Sequence, residues 1–154
     1  MSKIAVCSLS FALALFACGP AMAEDNATAV EAQALVKKAV AHFKAVGKDK
    51  ACADFAASPG EYQIKDLYVF VQDLEGLMVC HGKNPALNGK NLMGLKDNDG
   101  KTFVAEMIAT VKAGGSGWVD YKWVNAATRK IEPKSSYVER GEGATVLGAG
   151  IYRP

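Results

Sequence analysis

Apolar residues recur every three or four positions from residue 27 to about 55: Val30, Ala34, Val40 or Ala41, then Phe43 and Val46, with lysines and a glutamate between them. That period predicts a helix with one buried face. Gly47-Lys48-Asp49-Lys50 interrupts it, so the pattern reads as a long helix and then a short one over 51–57, which stops before Ser58-Pro59-Gly60. The signal next becomes extended. Residues 66–73 are β-branched and aromatic and end at Leu74-Glu75-Gly76, which predicts a strand and a turn with residues 77–81 as the hairpin partner. A loop over 82–98 follows, punctuated by Asn84-Pro85, Asn88-Gly89 and Asn91, and it is long enough to carry function. Phe103, Met107 and Ile108 or Val111 then form the stripe of a helix over 101–112, closed by Gly114-Gly115. Strands over 118–124, 134–140 and 145–152 complete the chain as an antiparallel meander. The order predicts an α+β domain: one five-stranded antiparallel sheet, the long N-terminal helix on one face and the helix-containing loop on the other.

The first residues follow a different rule. Met1-Ser2-Lys3 is a short charged start, residues 4–17 are an apolar run, and Ala21-Met22-Ala23 is a small-residue cleavage site. The run is shorter than the roughly 20 residues of a spanning helix. A signal peptide over 1–23 and a single domain over 24–154 are therefore expected, with export to the periplasm. Leu15-Phe16-Ala17-Cys18-Gly19 also resembles the bacterial lipoprotein cleavage motif, and lipid on Cys18 would anchor the domain to a membrane instead.

Charge narrows the partners. The chain carries 18 lysines and arginines against 16 aspartates and glutamates, and loss of Lys3 with the leader brings the balance to about +1. No dense basic run exists, so nucleic acid is not an expected partner. Of the 4 cysteines, Cys52 and Cys80 lie beyond the leader. In an oxidising compartment they form either a disulfide or two buried thiols; the spacing leaves both open.

Catalytic and metal chemistry find little support. Cys-x-x-Cys-His, His-Glu-x-x-His and Gly-x-Ser-x-Gly are all missing from the sequence, and Gly89-Lys90 lacks the rest of a phosphate-binding loop. Cys80 and His81 are adjacent in a strand, point to opposite faces and cannot readily share a metal. A binding protein is expected rather than an enzyme, with no cofactor and no metal. The candidate chemistry lies on the C-terminal strands. Alternation sends Trp118, Asp120 and Lys122 to one face and Val119, Tyr121 and Trp123 to the other, while Lys134 and Ser136 oppose Ser135 and Tyr137. These residues are either cross-strand staples or a pocket wall in which an ammonium and phenolic donors converge on a carboxylate. Whether Tyr121 faces Lys134 or Tyr137 depends on a register that the sequence leaves open.

Several stretches carry a family resemblance: Asp66 to Val71 with Asp73 and Gly76, His81-Gly82, Asn84-Pro85, Gly89-Lys90-Asn91-Leu92, Asp97 with Asp99-Gly100-Lys101, and Gly117-Trp118-Val119-Asp120-Tyr121-Lys122-Trp123. Pro133 to Val138 and Gly148-Ala149-Gly150-Ile151-Tyr152 extend it to nearly the whole chain after the leader. Together they resemble the single Cache domain, type 2. The resemblance implies a PAS-like extracytoplasmic sensor that binds small molecules, commonly short carboxylates, in chemoreceptors and sensor kinases. Carried over by position, it implies a ligand pocket of Tyr68, His81, Trp118, Tyr121, Lys134 and Tyr137, with Lys134 as the carboxylate partner. The sequence ends at Pro154 without a kinase or methyl-accepting region, so a free-standing secreted form is expected. Such a form would pass its small organic acid, or its bound state, to a membrane receptor, a transporter or a second copy of itself. The alternative is a ligand-independent interaction module.

Overall fold

The computed structural model describes residues 26–153. The predicted leader and Cys18 lie outside them. Helix α1, Ala29–Val46, begins with a capping box: the Glu31 N–H donates to Thr28 Oγ1 at 3.2 Å, and the Thr28 N–H donates to Glu31 Oε2 at 2.7 Å. The helix is tied to the sheet at its start, where the Ala27 N–H donates to Asp66 Oδ1. Its buried stripe is Ala32, Leu35, Val36, Ala39 and Phe43, which corrects the face read from the sequence: Phe43 lies on it, but Val30, Ala34 and Val46 face outward, because Leu35 and Val36 take the sheet side of the helix. Gly47, at φ +79°, breaks the helix in a conformation that favours glycine. Its carbonyl accepts the Ala51 N–H, so helix α2 runs Lys48–Ala56 and starts earlier than the predicted 51.

The predicted strand over 66–73 is two elements. Gln63–Ile64 (β1) and Leu67–Tyr68 (β2) form a small hairpin turned at Lys65, and Phe70–Asp73 (β3) enters the main sheet. Met78–His81 (β4) is the expected hairpin partner of β3. Helix α3, Phe103–Gly114, starts two residues later than predicted, because the Asp97 carboxylate accepts the N–H groups of Asp99, Lys101 and Lys122 and holds residues 97–101 as a turn. The last strands are Ser116–Val124 (β5), Ile131–Arg140 (β6) and Thr145–Tyr152 (β7).

The main sheet has five antiparallel strands in the order β4-β3-β7-β6-β5. The β5-β6-β7 meander was expected; the β3-β4 hairpin joins it along the free edge of β7. The α1 face collects Val69, Val71, Leu147 and Ala149 under the two N-terminal helices. The other face packs Phe70, Val119, Val138 and Val146 against α3. The loop after β4 closes over this second face with Leu92 and covers the β4 edge, exchanging backbone hydrogen bonds between Met78 and residues 89 and 90. A disulfide joins Cys52 of α2 to Cys80 of β4, 5.8 Å apart at Cα, which decides the question that the spacing left open.

Candidate functional site

Alternation along β2 and β3 aims Tyr68, Phe70 and Gln72 at the α3 face, and register with β4 adds His81 opposite Phe70 and Met78 opposite Gln72. From the other side come Phe103, Val104 and Met107 of α3, and from β5 Tyr121 and Trp123. Together they line a cavity with about 330 Å³ of atom-free space, part of which opens to solvent. Its clear centre has room for about one or two water molecules. Stacked rings give it stiff walls: Phe103 lies parallel to Tyr121 at 4.4 Å and meets Trp123 edge-on at 5.4 Å.

Lys134 stands directly behind this wall. Register places it between Tyr121 of β5 and Tyr152 of β7. Its side chain is 2% exposed, with Nζ donating to the Tyr68 hydroxyl at 2.6 Å and to the Tyr152 hydroxyl at 3.4 Å. The ammonium also lies 4.1 Å from the Tyr68 ring centre and 4.7 Å from that of Tyr152. No carboxylate among the described residues forms an ion pair with it. Burial therefore pushes its pKa down to about 7, offset slightly by the more distant Asp66. Gly150 makes the position possible, since a Cβ there would come within 2.6 Å of Lys134 Cε.

His81 is neutral in this setting. Burial, and then the Lys134 charge, lower its pKa to about 4. Its Nδ1 accepts the backbone N–H groups of Asn84 at 2.9 Å and Lys83 at 3.3 Å, so the ring proton resides on Nε2. The Tyr121 and Ser136 hydroxyls are 2.9 Å apart, and burial raises the pKa of Tyr121 as it does that of Tyr68. Every titratable wall group is thus uncharged at neutral pH. Among the described residues the cation that touches the wall is Lys134, and an anion beside it would raise its lowered pKa again. Two phenols and an imidazole N–H backed by one cation form a site for an anion, with apolar walls for a short tail.

Four of the six predicted residues meet here: Tyr68, His81, Tyr121 and Lys134. Trp118 and Tyr137 do not. Register pairs them with each other on the α1 face, rings 5.5 Å apart, with the sheet between them and the cavity. Their reading as residues of this pocket is corrected to that of a cross-strand pair, because Tyr121, not Trp118, shares the face of Lys134. Phe70, Gln72, Phe103, Trp123 and Tyr152 also shape the site and were not singled out for it. A signal existed for two of them: Gln72 has the parity of Tyr68 and Phe70, and Tyr152 that of Gly148 and Gly150.

The profile of the family Single Cache domain 2 matches residues 17–152. The chain is 40% identical over 89 residues to the sensor histidine kinase MctS of Rhizobium johnstonii, a match covering 57% of this chain and 19% of the kinase. The chain thus spans under a fifth of that relative's length. Among solved structures it resembles a methyl-accepting chemotaxis protein of Vibrio parahaemolyticus, with a TM-score of 0.72, 29% identity, and coverage of 80% of this chain and 86% of the other. It also resembles a Cache chemosensory domain described for its carboxylic acid recognition, with a TM-score of 0.69, 27% identity, and coverage of 81% and 92%.

Proposed function

The chain belongs to the Single Cache domain 2 family of extracytoplasmic sensor domains, and from that premise we propose that it binds a short carboxylate in the cavity between the sheet and α3. The observation that carries this reading is Lys134: a buried ammonium that no carboxylate of the described residues neutralises, set behind the phenol that lines the cavity. An unpaired buried cation is costly, and an anionic ligand removes the cost. Nζ donates to the Tyr68 oxygen, and the Tyr68 hydroxyl meets that of Tyr152 at a long 3.5 Å, so its proton can turn from that contact into the cavity, beside His81 Nε2–H. The carboxylate is held by these two neutral donors while Lys134 supplies the charge. The small clear volume limits the ligand to a few carbons. The recognition of carboxylic acids by a structurally similar Cache domain supports the same class. Export by the leader would place the protein in the periplasm, where its ligand-bound state is read by a membrane receptor, a transporter or a second copy.

Titration calorimetry of the purified protein against two- to four-carbon carboxylates, matched amides and alkylamines tests this. Binding of at least one carboxylate, and of no matched amide or amine, is expected at pH 6.5. Failure of every carboxylate to bind a protein that melts cooperatively would point to the ligand-independent interaction module instead.

A further inference from the structure

The cavity holds a second polar group that the anion site does not use. Gln72 is 1% exposed and lines the cavity, yet neither its Oε1 nor its Nε2 has a hydrogen-bond partner among the described residues. Buried amides are nearly always paired, and the other buried polar atoms left without partners, on Gln63, Asp66 and Ser135, belong to residues that do not line the cavity. Gln72 lies two residues along β3 from Phe70, the partner of His81, just past a bulge in the β3-β4 pairing, and both side chains line the cavity. From Tyr68, Gln72 is four residues along the chain, across the junction of β2 and β3. A ligand of a few carbons with its carboxylate at Tyr68 and His81 therefore extends along Phe70 toward this carboxamide.

We infer that Gln72 is a second, specificity-determining anchor, and that the ligand is a short carboxylic acid bearing an uncharged hydroxyl, carbonyl or amide group rather than a plain alkanoic acid. The carboxamide offers one acceptor and two donors, so it pairs with any of these groups. It carries no charge, and neither does any neighbouring wall residue at neutral pH, which disfavours a second carboxylate at this end. A site built to hydrogen-bond such a group rejects the analogue lacking it, because the buried amide is then left unpaired. This inference rests on the carboxylate reading of Lys134, Tyr68 and His81.

The test compares propionate with 3-hydroxypropionate and malonamate, which share its carbon skeleton and carry a polar group at the end away from the carboxylate, on wild-type protein and on Gln72→Met, whose side chain has similar length and no amide. Wild type is expected to bind 3-hydroxypropionate or malonamate at least tenfold more tightly than propionate. Gln72→Met is expected to retain propionate binding, shrink that preference below threefold and melt several degrees higher without ligand. Equal wild-type affinity for all three acids overturns the inference while leaving the carboxylate reading standing, as does a preference unchanged in Gln72→Met. No binding of any of the three acids overturns both. If Gln72→Met does not fold, the wild-type preference alone decides.

Discussion

Replacing Lys134 by methionine is expected to make the ligand-free protein more stable at neutral pH while weakening carboxylate binding about 30-fold or more. The two effects share one cause. The folded site holds the ammonium out of water, so its pKa falls from 10.5 to about 7, a difference worth on the order of 5 kcal/mol between the two protonation states. Unfolded chains keep the proton where the folded chain has released it. The unfolded state therefore binds more protons above pH 7, and unfolding free energy rises with pH through that window. Chemical denaturation of wild type should show a gain of roughly 2–3 kcal/mol between pH 7 and 9. In Lys134→Met that slope should be absent, and the variant should exceed wild type at pH 7 by about 2 kcal/mol or more. Binding falls because a charge-assisted contact worth roughly 2–3 kcal/mol is removed. Equal denaturation midpoints for the two proteins at pH 7 would show that Lys134 is not a buried, unpaired charge.

The second large effect concerns the Cys52–Cys80 bridge. It closes a loop of 28 residues, for which chain entropy gives a stabilisation of roughly 3–4 kcal/mol. For a domain of this size, Cys52→Ala with Cys80→Ala, or reduction of the native protein, should lower Tm by about 10–15 °C. The bridge also fixes an edge strand. Cys80 points to the α2 side of β4 while its neighbour His81 lines the cavity from the opposite face, so releasing the tether loosens the strand that positions the imidazole. Carboxylate affinity should fall severalfold, well short of the Lys134→Met effect. A melting temperature unmoved by reductant, with free thiols verified, would show that packing alone holds α2 on the sheet.

The layers of the fold were legible because each element announces its own period. α1 shows its helical period, although the face read from Val30, Ala34 and Val46 is exposed and Ala32, Leu35, Val36 and Ala39 are buried beside Phe43 instead, and β7 shows its strand character in Thr145 to Tyr152. The β1-β2 hairpin was hidden, since strands of two residues carry no periodicity and its turn depends on Lys65 at φ +57°. The site was half legible for a similar reason. Strand parity groups Tyr121 with Trp123 and Lys134 with Ser136, but joining the two groups needs register. That register is set by the 125–130 turn, where the Asn125 N–H donates to the Lys130 carbonyl. A shift by one residue would have put Asp120 or Lys122 opposite Lys134 and moved Trp118 to its face. Gln72 escaped notice because one polar residue at the end of an apolar strand looks like the start of a turn until α3 is seen to cover it.

The most direct test of the central claim observes the Lys134 side chain itself. The Lys134 ε-methylene resonance, assigned by comparison with Lys134→Met, is followed through pH with and without a saturating bound carboxylate. The Lys134 amine should titrate near pH 7 in the free protein and at clearly higher pH in the complex, because a nearby anion favours the ammonium. The same pKa in both states, or a value near 10.5 in the free protein, would contradict the assignment of Lys134 as the buried cation that receives the ligand.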